Sequence, residues 1–162
     1  MVYGGDLDAA SRAAINRTQL HDHLTVIGRL EFDPLTGLSG RDQITRAMQL
    51  ADYLLLLHGS TEVCAEYIPS KLYEYWWANR PIFSVIHQNS QLVNLVKEIH
   101  PQNIVVPEGD IENLVQALSL AWAGWESGEI ANFKHARPPI TPEHAVGIIL
   151  EKLTENDRLT RS

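Results

Sequence analysis

Three features of the sequence predict an α/β fold built on a Rossmann-like, doubly wound parallel sheet flanked by helices. Short apolar runs of strand length alternate with longer amphipathic stretches along the chain. One run, Tyr53–Leu57, is apolar throughout, as a strand covered on both faces would be. Residues suited to helix caps stand before most of the amphipathic stretches. The order strand, helix, strand then repeats with right-handed crossovers.

The elements follow in chain order. A short strand ends at Tyr3, and a helix is expected over Leu7–Gln19. A strand follows at Leu24–Ile27. Ser39 is placed to cap a helix over Gly40–Leu50. After the Tyr53–Leu57 strand comes a polar loop, then a helix over Ser70–Asn79 with Pro69 at its first turn. Ile82–Ile86 is the next strand. Ser90 is the expected cap of a helix over Gln91–Glu98. Ile104–Val106 is a strand, and Asp110 is placed to cap a helix over Ile111–Ala123. The whole chain, 1–162, is expected as a single domain. Within it, 125–162 is a connector and a last helix that starts at Thr141-Pro142 and runs to about Leu153.

Composition narrows the function. A chain of 162 residues, 44% apolar and 20% charged, is enough for a packed core. The net charge of -7, with thirteen scattered Lys and Arg, argues against nucleic acid as a partner. A single cysteine, Cys64, forms no internal disulfide, which fits a reducing cytoplasm. It is expected to be a small packed residue. No run is long enough to span a membrane, and no signal peptide is evident. Peripheral membrane association of the complete protein stays open.

In doubly wound sheets, ligands bind beyond the carboxyl ends of the strands. His58 and Gly59 stand at such an end, directly after Leu57. The loop from there leads to Pro69, Ser70 and Lys71, where a helix opens. Free backbone N–H groups at a helix start point at an anion. Ser70 adds a hydroxyl. Lys71 adds a positive charge where the helix dipole disfavours one, a conflict a bound phosphate would remove. Glu74 shares a helix face with Ser70 and Lys71. A carboxylate there is placed to accept from ribose hydroxyls. Glu66, in the loop just before the helix, is placed to accept from a sugar on the phosphates.

Glu66 and Glu74 are separated by seven residues, which resembles the paired-Glu motif of retaining GT-B glycosyltransferases. Tyr67-Ile68-Pro69-Ser70-Lys71-Leu72-Tyr73-Glu74-Tyr75 is similar to the version in many bacterial members. Ala51-Asp52, Ala78-Asn79-Arg80-Pro81-Ile82, Val105-Val106-Pro107 and Gly109-Asp110 resemble further elements of that family in the same order. The resemblance covers roughly Leu24 to Leu120. It is to the C-terminal, donor-binding domain of a family-four-like enzyme.

The resemblance implies a nucleotide diphosphate sugar as donor substrate and no metal or other cofactor. It implies that Glu74 holds the ribose and that Glu66 contacts the donor sugar as the catalytic candidate. Backbone around Ile68, Pro69, Ser70 and Lys71 would hold the diphosphate, and Arg29 and Leu30 would lie beside the base. The Tyr67-Ile68-Pro69 run departs from the Gly-rich stretch that often follows the first Glu. Val2-Tyr3-Gly4-Gly5 resembles a later strand end of that domain. The implied whole protein therefore has an N-terminal acceptor domain missing from this chain, which alone is expected to be inactive and to self-associate.

Plainer readings stand beside these. Lys71 and Glu74 would also make an ordinary surface ion pair, and Glu66 a solvated loop acid. His21-Asp22-His23 lacks the further ligands a metal needs. His58 and His87 would serve equally as hydrogen-bonded strand-end residues. Trp76 and Trp77 face different ways on one helix, and core is the simpler role for them. The stripe Leu114, Leu118, Trp122 and Trp125 is likewise expected in the core. A sugar-nucleotide epimerase of the same architecture and a non-catalytic nucleotide-binding or interaction domain are the rival functions.

Overall fold

The computed structural model describes residues 2–4, 6–59, 61–134, 141, 143 and 146–151. The chain divides into two compact units, Met1–Ala51 and Asp52–Ser162.

In the first unit, strand β1 (Val2–Gly4) pairs in parallel with β2 (Thr25–Gly28). Helix α1 (Ala9–Asn16) joins them, capped by Asp8, whose side chain accepts from Ser11 N. It stops short of the expected Gln19, because residues 19–23 form a separate 3-10 turn. Helix α2 (Gly40–Leu50) opens as expected at Ser39. Ser39 Oγ accepts from Asp42 N, and Asp42 Oδ2 accepts from Ser39 N, both at 3.2 Å, a reciprocal capping box.

The second unit holds a three-stranded parallel sheet in the order β3 (Leu54–Leu57), β4 (Ile82–Ile86), β5 (Ile104–Pro107). Helices α3 (Lys71–Ala78) and α4 (Ser90–Ile99) form the two crossovers, and α5 (Ile111–Glu126) follows β5. The register places Leu55 beside Phe83 and Phe83 beside Ile104. Strand alternation therefore puts Phe83, Val85, Ile104 and Val106 on one face. There they pack with Leu114, Ala117 and Ala121 of α5. Leu54, Leu56, Ile82, Ser84 and Ile86 point the other way and are buried. So are Leu72, Tyr75 and Trp76 of α3 and Leu92, Val96 and Ile99 of α4.

Ser84 and Asn103, two polar side chains buried inside this unit, are paired. Ser84 Oγ donates to Ile104 O at 2.9 Å. Asn103 accepts from Ile82 N through Oδ1 and donates to Val96 O through Nδ2, tying the end of α4 to the start of β4. Helix α3 ends at Asn79, whose left-handed backbone (φ 55°) turns the chain into β4.

The α/β class and the parallel strands are as predicted, in two separate sheets among the described residues rather than one. Several details differ. Tyr53–Leu57 is not covered on both faces: Leu55 and Leu57 are 38% and 69% exposed, beside the edge of β3 that pairs with no described strand. The α4 cap is Asn89 and not Ser90, which is already helical. Helix α5 runs through Trp125 to Glu126, so the expected connector begins later. The expected core stripe on α5 is also corrected. Leu118, Trp122 and Trp125 are exposed, because the row that meets the sheet is Leu114, Ala117 and Ala121. Trp76 is buried, whereas Trp77 is exposed. Of the last helix, residues 146–151 are helical, and Lys152 and Leu153 lie outside the described residues.

Candidate functional site

The carboxyl ends of β3, β4 and β5 lead into His58, His87 and Glu108. His58 continues β3 and donates its backbone N–H to Val85 O at 2.9 Å. Its side chain is buried. Nε2 lies 3.2 Å from Tyr67 O, and a carbonyl only accepts, so Nε2 carries the proton. The other ring nitrogen, Nδ1, is buried without a hydrogen-bond partner among the described residues.

The loop between β3 and α3 is folded back on this end of the sheet. Residues Glu62–Ala65 form a 3-10 turn that the sequence pattern did not announce. Gly59 lies beneath it: a Cβ there would sit 2.9 Å from Cys64 Sγ, too close for any larger residue without displacement. Thr61 Oγ1 and Cys64 Sγ are 3.2 Å apart. Asn89 holds the loop from the other side. Its Nδ2 donates to Cys64 O at 3.0 Å and to Tyr67 O at 3.1 Å, while its Oδ1 accepts from Leu92 N and caps α4. Sequence reading missed Asn89. The usable sign was an Asn one residue before Ser90, between a strand and a helix, since both residues suit a cap.

The loop so fixed delivers the predicted residues to the start of α3. Glu66 closes the 3-10 turn, and its side chain is exposed. Its N–H is directed at Val63 O, and that of Tyr67 at Cys64 O. Leu72 N and Tyr73 N donate to Pro69 O and Ser70 O, which begins the helix without the Ser70 hydroxyl. The amides of Ile68, Ser70 and Lys71 have no intramolecular acceptor among the described residues. Pro69 has no N–H to offer and only shapes the turn. Ser70, Lys71 and Glu74 are exposed in or beside the first turn of α3, and Ile68 and Pro69 are half-buried. Among the described residues no ion pair joins Lys71 to Glu74.

Glu74 also acts on its neighbour. Burial, and then the Glu74 charge, push the Tyr75 phenol up to about 12. Tyr75 stays protonated and donates to Leu55 O at 3.1 Å, fastening α3 to β3.

A second polar pair spans the ends of β4 and β5. His87 Nδ1 lies 2.5 Å from Glu108 Oε2, and Glu108 N donates to Ile86 O at 3.0 Å. Between His87 and Asn89, Gln88 has a left-handed backbone (φ 37°), uncommon outside glycine and Asn.

Arg29 and Leu30 belong to the first unit, following Gly28, with Arg29 exposed and Leu30 half-buried. Among the described residues no group of three or more His, Cys, Asp and Glu side chains could hold a metal ion. His21 and Asp22 make a 3.0 Å pair of their own. No helix among the described residues is long and apolar enough to cross a membrane. No protein-family model matches the chain, and no curated protein or solved structure matches it.

Proposed function

We propose that the chain is the donor-binding part of a glycosyltransferase that transfers a sugar from a nucleotide diphosphate sugar to an acceptor, with retention. The observation that carries this reading is the start of α3. Three amides without an acceptor among the described residues, a serine hydroxyl and a lysine fall together there in the chain, with Glu74 one turn inward and Glu66 just before. Amides and Lys71 suit the diphosphate. Glu74 suits the ribose hydroxyls, and Glu66 suits the sugar. His58 and Gly59 pack against the loop that carries these groups. In a GT-B enzyme an N-terminal domain would supply the acceptor, and stabilising charge on the departing diphosphate would be the main catalytic work. The proposed compartment is the cytoplasm.

Calorimetric titration of the chain with UDP, GDP and ADP tests the reading. Binding of one of them, weakened by Glu74→Gln and by Lys71→Ala, is the expected result. Unchanged affinity in both variants would overturn the assignment of the site.

The His87–Glu108 pair favours a second reading, a sugar-nucleotide epimerase of the same architecture. A histidine held by a carboxylate is a suitable general base. Exchange of a carbon-bound sugar hydrogen with deuterated water would distinguish it, because transfer with retention exchanges none.

A further inference from the structure

Helix α5 carries two apolar rows. Leu114, Ala117 and Ala121 meet the sheet, and a Cβ on Gly124 would lie 3.6 Å from the Tyr53 hydroxyl on the same side. The second row is Ile111, Val115, Leu118, Trp122 and Trp125, spaced four, three, four and three residues apart. These five are 71%, 57%, 53%, 59% and 47% exposed. Their spacing is that of a helix prepared to pack along another helix. The Trp122 and Trp125 rings lie against each other, tilted by 40° with centroids 5.1 Å apart, at one end of the row.

Charge along this stretch of the sequence has one sign. Between Lys97 and Lys134 the chain contains no Lys or Arg, whereas Glu108, Asp110, Glu112, Glu126 and Glu129 fall in or beside α5. Asp110 caps the helix, and Glu112 suits its N-terminal turn. Glu126 has no such account. It sits in the last turn, where the helix dipole favours a cation and no basic residue is present. Burying the apolar row beside positive charges would relieve both features.

We infer that this face of α5 docks a basic amphipathic helix of a partner protein, with its apolar row on Ile111–Trp125 and its Lys or Arg beside Glu112 and Glu126. A second copy of the chain is a poor occupant. Antiparallel pairing of two α5 helices sets Glu112 against Glu126, and parallel pairing offers neither acid a cation, because α5 carries no Lys or Arg. An anionic membrane surface meets the same repulsion.

The test uses the whole chain and a synthetic helical peptide with Leu at the core heptad positions and Lys at the flanking ones. The expected result is a saturable blue shift of tryptophan emission that weakens with salt. A peptide with Glu in place of Lys should bind about tenfold or more weakly. Leu118→Asp should abolish the shift with the circular dichroism unchanged. Glu112→Lys combined with Glu126→Lys should reverse the preference between the two peptides, a result that mere loss of folding cannot produce. Equal binding of both peptides would overturn the proposal. So would a dimer in sedimentation that Leu118→Asp dissociates, or binding to phosphatidylcholine vesicles in place of the peptide.

Discussion

Asn89 and His58 act on one atom: both direct a side-chain nitrogen at the Tyr67 carbonyl, at 3.1 and 3.2 Å, from the ends of two adjacent strands. Tyr67 follows Glu66 and precedes the open amides of Ile68, Ser70 and Lys71. The position of the candidate site is therefore set by residues that need not touch a ligand.

Asn89→Ala removes the α4 cap, worth about 0.5–2 kcal/mol. It also leaves the Cys64 and Tyr67 carbonyls with fewer donors. Asn89→Asp keeps the cap oxygen and loses both donations. Both variants should speed amide exchange in the 61–69 loop, and Asn89→Ala should lower the melting temperature more. Identical loop exchange in Asn89→Asp and the parent would remove Asn89 from the loop clamp.

Glu74→Gln keeps the size of the side chain and one acceptor oxygen but removes the charge. A hydrogen bond to a charged group is worth roughly 1.5–3 kcal/mol, so nucleoside diphosphate affinity should fall about tenfold or more. Folding should change little, because Glu74 is exposed and joined by no ion pair to Lys71 among the described residues. A melting shift with unaltered affinity would point instead to a structural carboxylate.

Tyr75 predicts an alkaline limit. Its phenol is raised from 10.0 to about 12, so the folded state resists ionisation that the unfolded chain accepts. The associated stability is complete below pH 10 and is lost as pH rises through 10 towards 12. It amounts to about 2–3 kcal/mol at the upper end. Denaturant unfolding of Tyr75→Phe should show a flatter profile between pH 10 and 12. It should start lower at neutral pH for want of the bond to Leu55 O. Parallel profiles for the two proteins would contradict this.

His100 predicts an acid limit of the opposite kind. Burial holds its pKa below 6.5, its ring rests on Phe133 at 4.5 Å, and Nδ1 accepts from Gln102 N. The unfolded chain takes up the proton first. The contribution is therefore full above pH 6.5 and is lost as pH falls through the lowered folded value. His100→Gln should flatten stability against pH below 6.5, and an NMR titration of His100 should give a midpoint under the usual one.

Most elements of the second unit were legible in the sequence because apolar runs and caps are local signals. Ser39 and Asp110 cap where expected, since each needs only its own next turn. The 3-10 turn at Glu62–Ala65 carries no periodicity to read. Asn89 was hidden because its loop partners are remote in sequence, and local spelling favoured Ser90. The two rows of α5 could not be ranked from spacing. Small residues at 117 and 121, which allow close approach to the sheet, decided which row went inward. At the candidate site, the sequence could nominate polar residues by type and spacing, whereas the open amides follow from loop geometry alone.

The outer edge of β3 has a practical consequence. Backbone N–H groups of Leu54 and His58 turn towards β4, so by alternation those of Leu55 and Leu57 turn the other way, beside exposed leucine side chains. Such an edge is a template for another extended chain. During heating, strand capture between molecules would then compete with refolding. Apparent melting temperatures would drift with protein concentration and scan rate, and shelf life would be governed by an unfolding rate rather than by an equilibrium constant.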